Sequence, residues 1–137
     1  MRSLGLDLGD RRTGVAISDP QGFLAIPLTV LSNKDEDVTI ANILKLAKQY
    51  QVERIVIGLP YSLDGNLGRQ ANKVTAFAEK LSQHIELDVQ LWDERLSTKA
   101  AEKLMLEAGT ERNKRKQHRD AIAAAFILQG FHDTLRD

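Results

Sequence analysis

The chain has 137 residues, with 19 lysines and arginines against 19 aspartates and glutamates, three histidines and no cysteine. That length suits one domain with a true hydrophobic core, and 42% hydrophobic with 28% charged residues is the content of an ordinary soluble globular protein. The missing cysteines exclude disulfides, thiolate zinc sites and thiol nucleophiles, and zero net charge announces no global field for a nucleic acid or an acidic membrane. The longest apolar run, Ala121 to Leu128, falls far short of the roughly 20 residues of a membrane span. Asp7 stands where a signal peptide would need its apolar segment, so a single cytoplasmic domain over residues 1–137 is expected.

Leu4, Leu6 and Leu8 alternate with Gly5, Asp7 and Gly9, the two-residue period of a strand. Asp10 to Thr13 reads as a turn, and Gly14 offers backbone freedom to re-enter the sheet. Val15 to Ile17 continues as a second strand, ended by a β-turn counted from Asp19, with Pro20 at its second position and Gly22 at its fourth. Phe23 to Leu31 is a third strand in which Pro27, unable to donate to a ladder, predicts an edge or a bulge. Behind the acids Asp35, Glu36 and Asp37, the residues Ile40, Ile43, Leu44 and Ala47 recur at helical spacing up to Gln51.

Arg54 to Leu59, with its continuous Ile-Val-Ile, predicts a central strand covered on both faces. A turn-rich loop from Tyr61 to Gly68 leads to a helix marked by Ala71, Val74, Ala78, Leu81 and Ile85. Leu87, Val89 and Leu91 give a fifth strand ending at Trp92-Asp93-Glu94-Arg95. Ser97 or Thr98 caps a third helix that Gly109 terminates, Thr110 to Lys116 reads as a charged connection, and a last helix runs from about Gln117 to Leu135. The order βββ-α-β-α-β-α-α implies an α/β class in which parallel strands extend an opening antiparallel meander into a mixed five-stranded sheet.

Asp7 lies inside a strand otherwise made of Leu and Gly, and an ionised carboxylate buried there needs compensation. A neighbouring arginine or turn amides can supply it; so can a metal or phosphate approaching over the flanking glycines. Asp120 shares a helical stripe with Ala124, Ile127, Leu128, Phe131 and Leu135. The helix macrodipole explains an aspartate in a first turn but not its alignment with that stripe. At the end of the fifth strand, alternation puts Asp93 with Leu87, Val89 and Leu91, and Glu94 with Asp88, Gln90 and Trp92. One of the two should face the side of Asp7.

Three carboxylates from separate elements form a hard-oxygen set. With no cysteine and only the scattered His84, His118 and His132, such a set suits Mg²⁺ or Mn²⁺ better than zinc. Two such ions, about 3.5–4 Å apart, can activate water and stabilise a leaving oxygen in phosphodiester cleavage. Before Asp120, the cations Arg112, Lys114, Arg115, Lys116 and Arg119 face the single acid Glu111, a local excess that is either a solvated segment or a phosphate-binding run. The Gly58 to Gln70 loop, with Arg69 beside a helix start, is either a plain surface loop or an anion site. No P-loop or dinucleotide spacing occurs, and Ser18, Ser62, Ser82 and Ser97 carry no nucleophile signature.

These motifs resemble the YqgF family, also called RuvX, of the RNase H-like superfamily. The resemblance rests on Gly5-Leu6-Asp7-Leu8-Gly9 through Gly14-Val15-Ala16-Ile17-Ser18-Asp19, on Gly58-Leu59-Pro60 with Asp64-Gly65 and Gln70, on Asp93-Glu94-Arg95-Leu96-Ser97-Thr98, and on Asp120-Ala121-Ile122-Ala123-Ala124 with Ile127-Leu128-Gln129. Arg11 and Thr13 stand where Lys and Ile are common, and Ser97 where Thr is common; no carboxylate is lost. The resemblance implies Asp7, Glu94 and Asp120 as an acidic, catalytic metal-binding triad, deciding between Asp93 and Glu94. It implies a nuclease maturing the 5′ end of pre-16S ribosomal RNA, with Holliday junction resolution as the older assignment.

On that footing the expected enzyme is a Mg²⁺- or Mn²⁺-dependent nuclease acting on structured RNA. Arg12, Arg95 and the basic residues Arg112, Lys114, Arg115, Lys116 and Arg119 would hold phosphates. A resolvase of branched DNA would use the same carboxylates in a homodimer, since symmetric nicking needs two sites. A nucleotide-binding lobe of the actin and sugar kinase kind needs a second lobe for which the chain has no length. A non-catalytic RNA-binding assembly factor is the alternative of another class, against which three acids near a polyanion argue.

Overall fold

A computed structural model describes residues 1–60, 68–93 and 112–136; the side chains of 112–118 and 136 lie outside the description. The described elements are β1 (Ser3–Leu8), β2 (Arg12–Ser18), β3 (Ala25–Ser32), α1 (Glu36–Gln49), β4 (Arg54–Leu59), α2 (Arg69–His84), β5 (Asp88–Asp93) and α3 (Arg112–Arg136). They build one five-stranded sheet in the order β3-β2-β1-β4-β5. The meander β1-β2-β3 is antiparallel, while β4 runs parallel to both β1 and β5. The mixed α/β sheet expected from the sequence is therefore present. The helix expected after Ser97 lies outside the described residues.

Pro27 meets both of its alternatives: β3 is an edge strand, and the β2–β3 register shifts between Val15 and Ala16, opposite it. The turn after β2 closes with Gly22 N–H donating to Asp19 O at 3.0 Å, and Gly22 takes φ +78°. Asp19 fastens this turn from its side chain as well, its Oδ1 accepting from Phe23 N at 2.7 Å and Leu24 N at 2.9 Å. The N–H groups of Leu24 and then Phe23 hold its carboxyl below the ordinary value of 3.8. A carboxylate whose pKa falls on folding adds stability above that ordinary value, and the stability is lost as pH drops through the lower folded value. Asp19→Asn should therefore melt below the parent at neutral pH, with the gap closing in acid. Parallel melting curves across the pH range check this.

Parity along the strands divides the core. Leu4, Leu6, Val15, Ile17, Ile55, Ile57 and Leu59 pack against Ile40 and Ile43 of α1 and Val74, Phe77 and Leu81 of α2. On the other face Ala16, Val56 and Trp92 meet Ala124, Ala125, Ile127, Leu128 and Phe131 of α3. The odd residues of β1, Ser3, Gly5 and Asp7, belong to this second face. Ala121, Ala124 and Ala125 keep part of the α3 contact surface small, so the helix can lie close on the sheet. A Cβ on Gly5 would stand 2.8 Å from Leu128 Cβ. The space over Gly5 is therefore taken by α3, contrary to the expectation that the glycines flanking Asp7 leave it clear for a ligand.

Two further expectations change. The helix α3 begins at Arg112, so Arg112 to Lys116 is helical rather than a connection; lysine and arginine are good helix formers, and charge alone does not break a helix. Leu135, placed by periodicity on the apolar stripe, is 57% exposed, because the helix runs beyond the sheet it covers. Among the described residues no helix is long and apolar enough to cross a membrane.

Candidate active site

The parallel strands β1, β4 and β5 end on the same side of the sheet, and open α/β sheets place ligands beyond such carboxyl ends. Asp7 is the penultimate residue of β1, half-buried and on the α3 face. In the β1–β2 ladder it lies opposite Gly14. A Cβ on Gly14 would overlap the carbonyl of Asp120 and stand 2.9 Å from Ala121 N. The residue is not at positive φ. Gly14 is thus there for the close approach of α3, not for the backbone freedom its sequence context suggested.

That approach sets the geometry of the site. Directly opposed residues of an antiparallel pair have Cα atoms about 4.5–5.5 Å apart. The backbone of Asp120 sits on Gly14, so the carboxylate-bearing positions 7 and 120 are neighbours although 113 residues separate them. The side chain of Asp120 is 31% exposed, and Arg12 Nε donates to its Oδ2 at 2.9 Å. Arg12 belongs to the Gly9–Arg12 hairpin, closed by Gly9 N–H donating to Arg12 O at 2.8 Å.

A residue that the sequence did not single out braces this hairpin. Asn33, just after β3, donates from Nδ2 to Gly9 O at 2.7 Å and from its backbone N to Arg11 O at 2.9 Å, and accepts from Thr13 Oγ1 at 2.7 Å. Gln70, from the first turn of α2, donates to Leu8 O at 3.1 Å. Gln70 at least stood in a recognisable motif. The only local sign at Asn33 was an amide after a strand, a residue type that bonds turn backbone.

The end of β5 distinguishes its two acids. Asp93 pairs with Leu59, which belongs to the α1–α2 core, and so takes the face away from Asp7. Trp92 points the other way, against α3, where a Cβ on Gly130 would overlap its ring. Glu94 and Arg95 lie outside the described residues. Arg119 is exposed beside Asp120, and Arg112, Lys114, Arg115 and Lys116 occupy the opening turns of α3 with their side chains undescribed.

Among the described residues no three His, Cys, Asp or Glu side chains gather as a metal site. The pair of Asp7 and Asp120 is nevertheless an all-oxygen donor set, which fits a hard divalent cation provided a further oxygen ligand joins it.

Comparison with known proteins agrees with this architecture. A family model described as RuvX, Holliday junction resolvase, matches residues 1–134. A Clostridium botulinum protein named "Putative pre-16S rRNA nuclease" is 47% identical over 135 residues, covering 98% of each chain. One of the same name from Desulforamulus reducens is 45% identical over 134 residues, again covering 98% of each. Among solved structures, Thermus thermophilus RuvC in complex with a Holliday junction superposes with a TM-score of 0.64 at 15% identity, covering 98% of this chain and 96% of that one. Fowlpox virus resolvase with Holliday junction DNA gives 0.62 at 12% identity over the full length of both. At such identities the likeness is one of fold. With nearly the whole sequence matched by the family model and by relatives near half identity, the chain belongs to the RuvX (YqgF) family.

Proposed function

We propose that this protein is a divalent-metal-dependent nuclease that processes the 5′ end of pre-16S ribosomal RNA. The observation that carries the reading is that the positions of Asp7 and Asp120 are neighbours at the carboxyl end of the parallel strands. The names of the relatives supply the substrate. Asp7 and Asp120 would hold the metal, and Glu94 would complete the acidic set. Glu94 has the parity of Trp92, the residue of β5 that faces α3, while Asp93 faces away. Bound Mg²⁺ or Mn²⁺ would supply water activation and charge neutralisation at the departing oxygen.

The protein's own contribution is positional. The Gly14 contact brings the backbone positions that carry Asp7 and Asp120 together, so that both carboxylates could hold one cation. Arg119, with Arg95 and the cations Arg112, Lys114, Arg115 and Lys116, would hold flanking phosphates. Acting on an RNA precursor of this kind, the enzyme would work in the cytoplasm.

A second reading, cleavage of four-way DNA junctions, is favoured by the family description and by the superposition on junction-bound resolvases. It would employ the same acids and would require a two-fold dimer. Mapping cleavage ends on pre-16S RNA and on a synthetic four-way junction side by side separates the two. Defined ends on the RNA, with no symmetric nicks in the junction, are expected. Symmetric nicks with intact RNA would reverse the assignment.

A further inference from the structure

Arg12 is in contact with a candidate metal ligand, and its position is unusual for a residue meant only to hold phosphate. Its Nε lies 2.9 Å from Asp120 Oδ2, yet its side chain is 63% exposed. The backbone that carries it is fixed on both sides, by the Gly9–Arg12 hydrogen bond and by Asn33, which reaches Gly9, Arg11 and Thr13. The anchor is therefore rigid, and the guanidinium beyond it has solvent into which to swing.

Two carboxylates on neighbouring positions repel when no cation lies between them, and a guanidinium, which stays charged at any accessible pH, offsets that repulsion. A hard cation needs the same carboxylate oxygens, and its charge opposes the arginine. Resting on the nuclease reading above, we propose that Arg12 is an exchangeable counter-cation: it occupies Asp120 while the site is empty of metal, gives up the carboxylate when a divalent cation binds, and then holds a phosphate of the RNA. The exposed pair is weak enough to open without a large penalty, as exchange requires. The guanidinium fork suits phosphate as well as carboxylate, so one side chain can serve both partners.

Opposite changes in two measurements distinguish this role from a merely structural one. Mn²⁺ binding to the full chain is followed by isothermal titration calorimetry for the parent, Arg12→Gln and Asp7→Asn, and KM for pre-16S RNA is measured at saturating Mn²⁺. Arg12→Gln should bind Mn²⁺ about two- to fivefold more tightly, the scale on which exposed ion pairs act. Its KM should rise several-fold, with the salt dependence of that KM shallower by roughly one phosphate contact. Arg12→Lys, retaining the charge, should bind Mn²⁺ like the parent. Unchanged or weakened Mn²⁺ affinity in a folded Arg12→Gln protein, with binding lost in Asp7→Asn, would overturn the exchange and leave the metal site standing. Equal Mn²⁺ binding by the parent and Asp7→Asn would overturn the site itself, and the exchange with it.

Discussion

Gly14→Val is expected to destabilise the protein by about 3 kcal/mol or more, a large part of the roughly 5–15 kcal/mol that holds a domain folded. A side chain at position 14 would enter the space of the Asp120 carbonyl and crowd Ala121 N. These are backbone atoms and cannot rotate away as a leucine tip could. Either α3 lifts or β2 bends, and overpacking against rigid neighbours costs more than the usual 1–3 kcal/mol of an added methyl group in a core. Lifting α3 would also open the contact around Ala124 and Leu128. Urea denaturation gives the free energy directly; a loss below about 1 kcal/mol would mean that α3 does not dock on Gly14 as described. Because Asp120 moves with the helix, the folded fraction of the variant should also cleave poorly, coupling a packing position to catalysis.

Asp7→Asn carries the largest expected effect on activity. The substitution keeps shape and most hydrogen-bonding capacity while removing the charge that would hold a divalent cation. Losing a partner that merely orients a metal ligand typically costs 10–100-fold, so losing the ligand itself should lower the cleavage rate by at least about a hundredfold. The fold should survive, since the neighbouring core positions Leu6 and Leu8 point to the opposite face. Single-turnover cleavage, with circular dichroism as a control for folding, tests the pair of statements together. A variant that lost rate only through unfolding would point to a structural aspartate.

Much of this arrangement was legible before the fold was known, and the exceptions share a cause. Period-two alternation placed Asp7 on the opposite face from Leu4, Leu6 and Leu8, and the Ile-Val-Ile run identified β4 as a central strand. The turn from Asp19 to Gly22 followed from local residue chemistry and is present. Hidden from sequence were the contacts made between distant segments. Nothing near Gly14 predicts that a helical residue 106 positions later, Asp120, needs position 14 to have no side chain. Nothing near Arg12 predicts its pairing with Asp120, or the bracing of its hairpin by Asn33. The choice between Asp93 and Glu94 was open on pattern alone. The register of Asp93 with Leu59 now removes Asp93 from the face of Asp7.

The neutral net charge that seemed to disfavour a polyanionic substrate is an average over opposed regions. Acids engaged with a metal would no longer repel phosphate, which would leave the basic run from Arg112 to Arg119 to attract it. The most direct measurement is therefore a Mg²⁺ titration of pre-16S RNA cleavage after exhaustive chelation, performed on the parent and Asp7→Asn in parallel. Cleavage should vanish with chelation, return saturably with Mg²⁺ in the parent, and stay absent in the variant over the same range. Cleavage by the parent that persists in chelator, or a variant that cuts as fast as the parent, would contradict a metal centre at Asp7.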